Sequence, residues 1–356
     1  MIAWRLAGDA TIPAQLQPAQ MLDYARSRDA DDAALLRGTG LAESMPAGLP
    51  APGTLVAPEG VLRLLANTLR ALDSPDTSFM LGQQLLPGHD GALSHALLQA
   101  PSLRHALETI CAWHARLTPL LRPRLQVWSE DEGEGGGQAG VALVWTDSYG
   151  AHGLRAALVE MHMTAVVALC RWLGGSRLPW RFCFNRAAPR HVEQHEVHLG
   201  GELRFGCHLD AMLIDAHWLD APWPRGSALG AALALRTVAA EGAPAPGLLA
   251  ALYDYLLERV RAGPTLEQTA ADFGVSPATL KRHLQRHGTH FQAELDQVRT
   301  HVALWLFHAR RAGNEQVAQY LGFHDSANFR RSFKRWTGQT PALLRAALGA
   351  AGAVVQ

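Results

Sequence analysis

Two stretches near the end of the chain are written in one grammar. Gly274, Leu280, Arg282, Leu284 and Gly288 give G-x5-L-x-R-x-L-x3-G; Gly322, Phe329, Arg331, Phe333 and Gly338 give G-x6-F-x-R-x-F-x4-G. The apolar pair in each copy is four residues apart, so it shares one face of a helix, and the arginine between projects elsewhere. In the second copy Asp325 or Ser326 can cap the helix start by accepting orphan backbone N–H bonds. Gly338 suits a left-handed end, and Pro341 blocks continuation. A helix of small residues precedes each turn, over 266–271 and 316–321. Helix, glycine turn, cationic helix is the pattern of a helix-turn-helix, and two in tandem constrain the fold far more than one. The stretch 248–350 is expected to be an all-α domain holding both units. Leu249, Leu252, Tyr253, Leu256 and Val260 form the core stripe of its first helix.

Charge follows the same division. The chain has 32 basic and 32 acidic residues among 356. Residues 248–350 carry a balance of +5 and the remainder −5. Its only lysines, Lys281 and Lys334, fall inside the two cationic helices. A basic module on an acidic remainder favours a polyanion partner for that module alone.

The N-terminal part reads differently. Residues 1–58 are broken by prolines and are expected to be loosely organised, with a mobile arm before a short helix near 20–28. From Pro58 to Leu86 Val61, Leu64, Leu65, Thr68, Leu69 and Leu72 keep helical spacing. Two helices follow over 90–99 and 101–117, with Ser102 as a cap and Leu103, Ala106, Leu107 and Ile110 inward. The period then switches to two at 125–128 and 141–145, giving strands around an acidic glycine-rich loop, 131–137. That loop lacks a G-K-[ST] ending and its carboxylates repel phosphate, so it is a hairpin loop and not a phosphate cradle. His152 to Leu173 reads as a buried helix, 180–184 as a strand, 190–199 as a helix and 211–214 as a closing strand. The fold class is an α+β N-terminal domain, a small sheet with several helices, over 1–220. An Ala-, Gly- and Pro-rich stretch, 221–247, reads as an interdomain linker.

Other classes are disfavoured. The apolar stretch 156–170 is too short and too polar to span a bilayer, and the N-terminus lacks the pattern of a signal peptide. The four cysteines are widely spaced, as expected of reduced thiols. An enzyme domain tethered to a DNA-binding one is the rival class, yet G-x-S-x-G, H-E-x-x-H and G-x-G-x-x-G after a strand are all missing. A third class is a DNA-binding protein that answers to no effector. His191, His195 and His198 fall at i, i+4 and i+7 of the helix expected there, a spacing that suits zinc. With 17 histidines in the chain such a cluster arises by chance, so no metal and no cofactor are assigned.

Residues 248–346 resemble the DNA-binding domain of the AraC/XylS family of bacterial transcription regulators. The resemblance rests on Leu266, Ala270, Ser276-Pro277, Leu280, Arg282, Leu284, Gly288, Phe291, Arg299 and Ala303, then on Val317-Ala318, Leu321-Gly322-Phe323, Phe329, Arg331, Phe333, Trp336, Gly338 and Pro341. Asn314 departs from it, since the family carries Ile or Val where the second unit opens. Residues 15–220 resemble the non-cupin, arabinose-binding-like N-terminal domain of one subgroup, through Phe79-Met80-Leu81-Gly82, Gly91-Ala92-Leu93, Ala100-Pro101-Ser102-Leu103, Ala106-Leu107 and Leu203-Arg204-Phe205-Gly206.

The resemblance implies a sequence-specific regulator whose partners are double-stranded DNA, a small amphiphilic or amino-acid-like effector, a second copy of the chain and RNA polymerase, with no membrane. It places groove contacts at Ala278, Lys281 and Arg282 of the first helix and at Ser326, Asn328, Arg330 and Arg331 of the second. Arginine can hold guanine O6 and N7 with two bonds, and asparagine can read adenine. Arg286, Lys334 and Arg335 are expected on phosphates, which set affinity and not sequence. The helix 292–310 would act as a spacer setting the two helices about 34 Å apart, in successive major grooves. Trp113, His114, Arg155, Glu160 and His162 are candidates for the effector pocket.

Overall fold

The computed structural model describes residues 2–42, 50–51, 53–129 and 139–349. The acidic glycine-rich loop 131–137 lies outside the described residues. The chain divides into two compact units: Ala3–Gln126 with Ala142–Ala250, and Ala251–Gln356 with Met1–Ile2 and Val127–Val141. The division falls inside a helix, Leu248–Arg259.

The N-terminal unit opens with β1 (Ile12–Pro13), α1 (Gln17–Arg26), α2 (Asp32–Leu36) and β2 (Leu55–Val56). Strands β1 and β2 pair antiparallel, Ile12 opposite Val56. Its start is not a free arm: Arg5 N–H donates to the Pro246 carbonyl at 2.9 Å, and Leu248 N–H donates to Arg5 O at 2.9 Å. Then come α3 (Pro58–Leu72), α4 (Thr77–Leu85), α5 (Gly91–Leu98), α6 (Leu103–Ala112) and α7 (His114–Leu117). Proline begins α3, Asp73 in the left-handed region ends it, and Ser102 caps α6. Every inward residue expected on α6 is buried.

The sheet has five strands, the four read from the sequence and a short one more: β3 (Leu121–Trp128), β4 (Gly140–Asp147), β5 (Arg181–Phe184), β6 (Leu203–Phe205) and β7 (Asp210–Asp215), in the order β3-β4-β7-β5-β6. β5 pairs antiparallel with β7 and parallel with β6. A parallel neighbour needs a crossover, and α9 (Glu193–His198) lies in that connection. Before it, α8 (Arg155–Gly174) runs 20 residues. By length and composition α8 could cross a membrane, contrary to the shorter stretch read from the sequence, but it is mostly buried inside the protein. It packs against α4 at Gly82, where a Cβ would stand 2.3 Å from the Met161 carbonyl oxygen, so only glycine permits this approach.

The stretch read as a linker is largely a helix, α10 (Ala228–Glu241), capped by Ser227, whose hydroxyl accepts from Gly230 N–H at 3.1 Å. Ala231, Ala234 and Val238 are buried, the helix packs on α5, and Arg116 donates to Glu241 at 2.7 Å. Alanine has the highest helix propensity but gives no hydrophobic periodicity, so a composition-based reading passes over such a helix.

The C-terminal unit is helical: α11 (Leu248–Arg259), α12 (Leu266–Asp272), α13 (Pro277–Arg286), α14 (Phe291–Ala309), α15 (Asn314–Tyr320), α16 (Ser326–Thr337) and α17 (Pro341–Gly349). The pairs α12–α13 and α15–α16 are the two expected units. Gly274 and Gly322, at φ +72 and +74, make the turns. At Gly322 a Cβ would also meet the Arg261 carbonyl oxygen at 3.1 Å. Phe329 and Phe333 are fully buried, and their rings lie 6.2 and 5.8 Å from Phe307 of α14.

The two units begin differently. Thr265 caps α12 in a reciprocal capping box with Gln268. At α15 the capping residue is Gly313, which has no side chain to give; only the return bond, Gly313 N–H to Gln316 Oε1 at 2.7 Å, is made. Asn314 then sits where Leu266 sits in the first unit, with its Oδ1 buried and without a hydrogen-bond partner. An unsatisfied buried acceptor costs about 1–3 kcal/mol. Asn314→Leu should therefore raise the stability of the C-terminal unit by about 1 kcal/mol or more, read as a higher denaturant midpoint at unchanged slope. A lowered midpoint would refute this account of the position.

Candidate functional site

Each second helix of a unit has one buried and one open face. On α13, Leu280 and Leu284 are buried, while Ala278, Lys281, Arg282 and Arg286 are exposed. Ser276 caps it by accepting from Thr279 N–H at 3.1 Å, and Pro277 supplies the first turn. On α16, Phe329 and Phe333 are buried, Ser326 and Asn328 half-buried, and Arg330, Arg331, Lys334 and Arg335 exposed. Here the cap is Asp325, which accepts from Asn328 N–H at 2.6 Å, and Gly338 ends the helix at φ +72. α14, 19 residues between the two units, is about 28 Å long at 1.5 Å per residue.

The two open faces are not equivalent. Arg282 makes no ion pair among the described residues. Arg331 donates to Asn328 Oδ1, and Asn328 Nδ2 donates to Asp325 Oδ2 at 2.8 Å. The backbone bond from Asn328, with the charges of His324 and Arg331 also contributing, holds the Asp325 carboxyl below the usual range. Asp325, Asn328 and Arg331 thus form one hydrogen-bonded chain along the start of α16. Arg335 lies 3.7 Å from Asp296 of α14.

The five residues considered for an effector pocket are not gathered into one site. Trp113 ends α6 half-buried, and His114 contacts the Cys111 carbonyl at 3.1 Å and Arg122 at 3.3 Å. Arg155 braces the sheet, donating to Asp210 at 2.9 Å and to the Trp145 carbonyl at 2.9 Å. His162 is fully buried, its Nδ1 is 2.7 Å from the Leu158 carbonyl, and burial pushes its pKa down to about 4. It is a neutral core side chain beside Trp145, with ring centroids 5.3 Å apart.

Glu160 is the centre of a buried polar cluster. Ser78 Oγ donates to its Oε2 at 2.5 Å, and Arg186 Nη2 donates to its Oε1 at 2.6 Å. His195 Nε2 lies 2.7 Å from the same guanidinium nitrogen and 3.1 Å from Glu160 Oε1. Burial pushes the Glu160 carboxyl up, but His195, the Arg186 charge and the Ser78 hydroxyl together outweigh it and hold the group below its ordinary 4.5.

The three histidines with zinc-like spacing do not converge. α9 starts at Glu193, so His191 lies before the helix and is exposed. His195 faces Glu160, and His198 stacks on Phe79 with Asp76 at 3.5 Å. Among the described residues no group of three His, Cys, Asp or Glu side chains is placed to hold a metal.

A cleft in the N-terminal unit holds about 1560 Å³. None of the five candidates lines it. Residues of α1, α4, α8 and α9 do, together with Arg225. Arg171, Trp172, Arg177 and Arg225 line it without having been expected there; the one local signal was Arg171-Trp172, a cationic and aromatic pair ending an otherwise apolar helix.

Residues 30–223 match the family model described as the arabinose-binding domain of AraC transcription regulator, N-terminal, and residues 269–347 match a helix-turn-helix domain. The chain is 28% identical over 306 residues to the ornithine utilization regulator of Pseudomonas aeruginosa, covering 83% of this chain and 88% of that protein. It is 30% identical over 77 residues to the HTH-type transcriptional regulator VqsM of P. aeruginosa, covering 22% of this chain and 24% of that one. Among solved structures, the transcriptional regulator CdpR from P. aeruginosa aligns at 21% identity and a TM-score of 0.39, covering 90% of this chain and 98% of that one.

Proposed function

Because the chain belongs to the AraC family of transcription regulators, we propose that α13 and α16 read two short DNA blocks about one helical turn apart and that a small molecule in the N-terminal unit governs the outcome. The observation that carries this reading is the repetition of one frame: a buried apolar pair, a positive-φ glycine and an exposed arginine at matching positions of both units. Ala278, Lys281 and Arg282 face one groove. Ser326, Asn328, Arg330 and Arg331 face the next. Arg286, Lys334 and Arg335 meet phosphates, Arg335 leaving Asp296 to do so. The protein acts in the cytoplasm as a homodimer that contacts RNA polymerase. Its effector is amphiphilic or amino-acid-like, in keeping with a relative named for ornithine utilization.

Selection of the full-length protein on a random DNA library at two salt concentrations tests this. The expected result is a bipartite motif and an affinity that falls steeply with salt. A single short block would mean that one unit alone reads sequence, and no enriched motif would overturn the reading. Arg331→Ala should weaken specific binding by about 1–3 kcal/mol and relax the preference at one or two base pairs. An equal loss on all sequences would assign Arg331 to phosphate.

A further inference from the structure

We propose that the cleft of the N-terminal unit binds a small organic carboxylate with an apolar body, its anionic end held by Arg171, Arg177 and Arg225. This rests on the reading of that unit as an effector domain, and narrows the effector to one chemistry.

The charges lining the cleft do not cancel. Of its four arginines, Arg26 is spent on Asp32, to which it donates from Nε and Nη2 at 2.8 Å each. Among the described residues, Arg171, Arg177 and Arg225 make no ion pair, and Asp23 is the one carboxylate in the lining. Guanidinium groups are planar forks that match a carboxylate with two parallel bonds. Three that pair with no carboxylate among the described residues, around one cleft, offer a site to an anion.

The rest of the lining is apolar. Leu22, Leu86, Leu98 and Val167 face the same space, so a bare inorganic anion would leave them wet. Trp172 is 61% exposed at the end of α8, with the Arg225 guanidinium 5.4 Å from its ring centre. An indole left that open beside a cation presents both an apolar face and a charge to an incoming molecule. The volume exceeds that of an ordinary small-molecule site, which leaves room for an acyl or aryl body of several carbons.

The test titrates the full-length protein with butyrate, octanoate and phenylacetate, and in parallel with 1-octanol and inorganic phosphate. Calorimetry and tryptophan fluorescence report binding. At least one carboxylate should bind, with a fluorescence change that disappears in Trp172→Phe. The double variant Arg171→Gln/Arg225→Gln, and separately Arg177→Gln, should weaken it by about tenfold or more. These side chains are exposed, and an unchanged thermal midpoint without ligand checks that the variants fold.

Equal binding of 1-octanol would make the cleft a neutral apolar groove and overturn the proposal. Equal binding of phosphate would overturn its carboxylate specificity, and binding of no carboxylate at millimolar concentration would overturn it outright. The DNA selection described above is run on the same preparation. A bipartite motif without carboxylate binding sinks this inference alone, whereas loss of the motif sinks the regulator reading.

Discussion

Glu160→Ala should destabilise the N-terminal unit by about 3–5 kcal/mol, the cost of removing one partner of a buried ion pair. The side chain is 13% exposed, and its removal leaves the Arg186 guanidinium, 23% exposed, and the 5%-exposed His195 without their carboxylate. Ser78 loses its acceptor as well. Glu160→Gln keeps the shape and one acceptor but not the charge, so it should recover part of the loss. The pH dependence supplies a second readout. The folded carboxyl titrates below its ordinary 4.5, so its contribution is fully present above that value and disappears as pH falls through the folded pKa. The wild-type unit should therefore lose stability below about pH 4.5 more steeply than Glu160→Gln. Denaturant melts followed across that range would show parallel curves if the cluster contributes nothing.

Phe333→Ala should cost the C-terminal unit about 3–5 kcal/mol. Its ring has no exposed surface and stands 5.8 Å from Phe307, 5.6 Å from Phe329 and 6.4 Å from Trp336. The side chain is part of the layer that fixes α16 on α14, so the cavity falls under the cationic face itself. Loss of DNA binding should accompany the drop in stability. Leu343→Ala, on a side chain 63% exposed, is the contrast and should change stability by no more than about 0.5 kcal/mol. Similar midpoints for the two variants would show that the aromatic layer is not what holds the unit together.

The C-terminal unit was legible because its signals are local. Gly274, Leu280 and Leu284 lie within eleven residues, and each carries a backbone or packing requirement readable without a partner. The N-terminal unit was legible in its longer helices and in four strands of its sheet, but not throughout. The three-residue strand β6 is too short to show a period, and α10 hides in alanine. Glu160 shows the remaining difficulty. The residue was identifiable as a polar group on a buried helix, but its partners Ser78, Arg186 and His195 come from three other segments. Nothing near Glu160 in sequence distinguishes a ligand contact from a satisfied internal ion pair. The cleft poses the same problem more severely, since Leu22, Leu86, Arg171 and Arg225 become neighbours only after folding. Asn314 was the opposite case: a departure from the family pattern that corresponds to a physical defect, the unpartnered Oδ1.

On the proposed reading of α13 and α16, the chain from Asp325 through Asn328 to Arg331 should give the two DNA blocks different tolerances. Arg282 has no tether among the described residues, so it can search rotamers and accept more than one base at a small entropic cost. Arg331 is already aimed, and Asn328 cannot turn toward adenine without releasing Arg331 or Asp325. The second block should then be the stringent one, in which a wrong base leaves a fixed guanidinium facing nothing. In a set of natural target sites, drift should accumulate under α13 and be purged under α16.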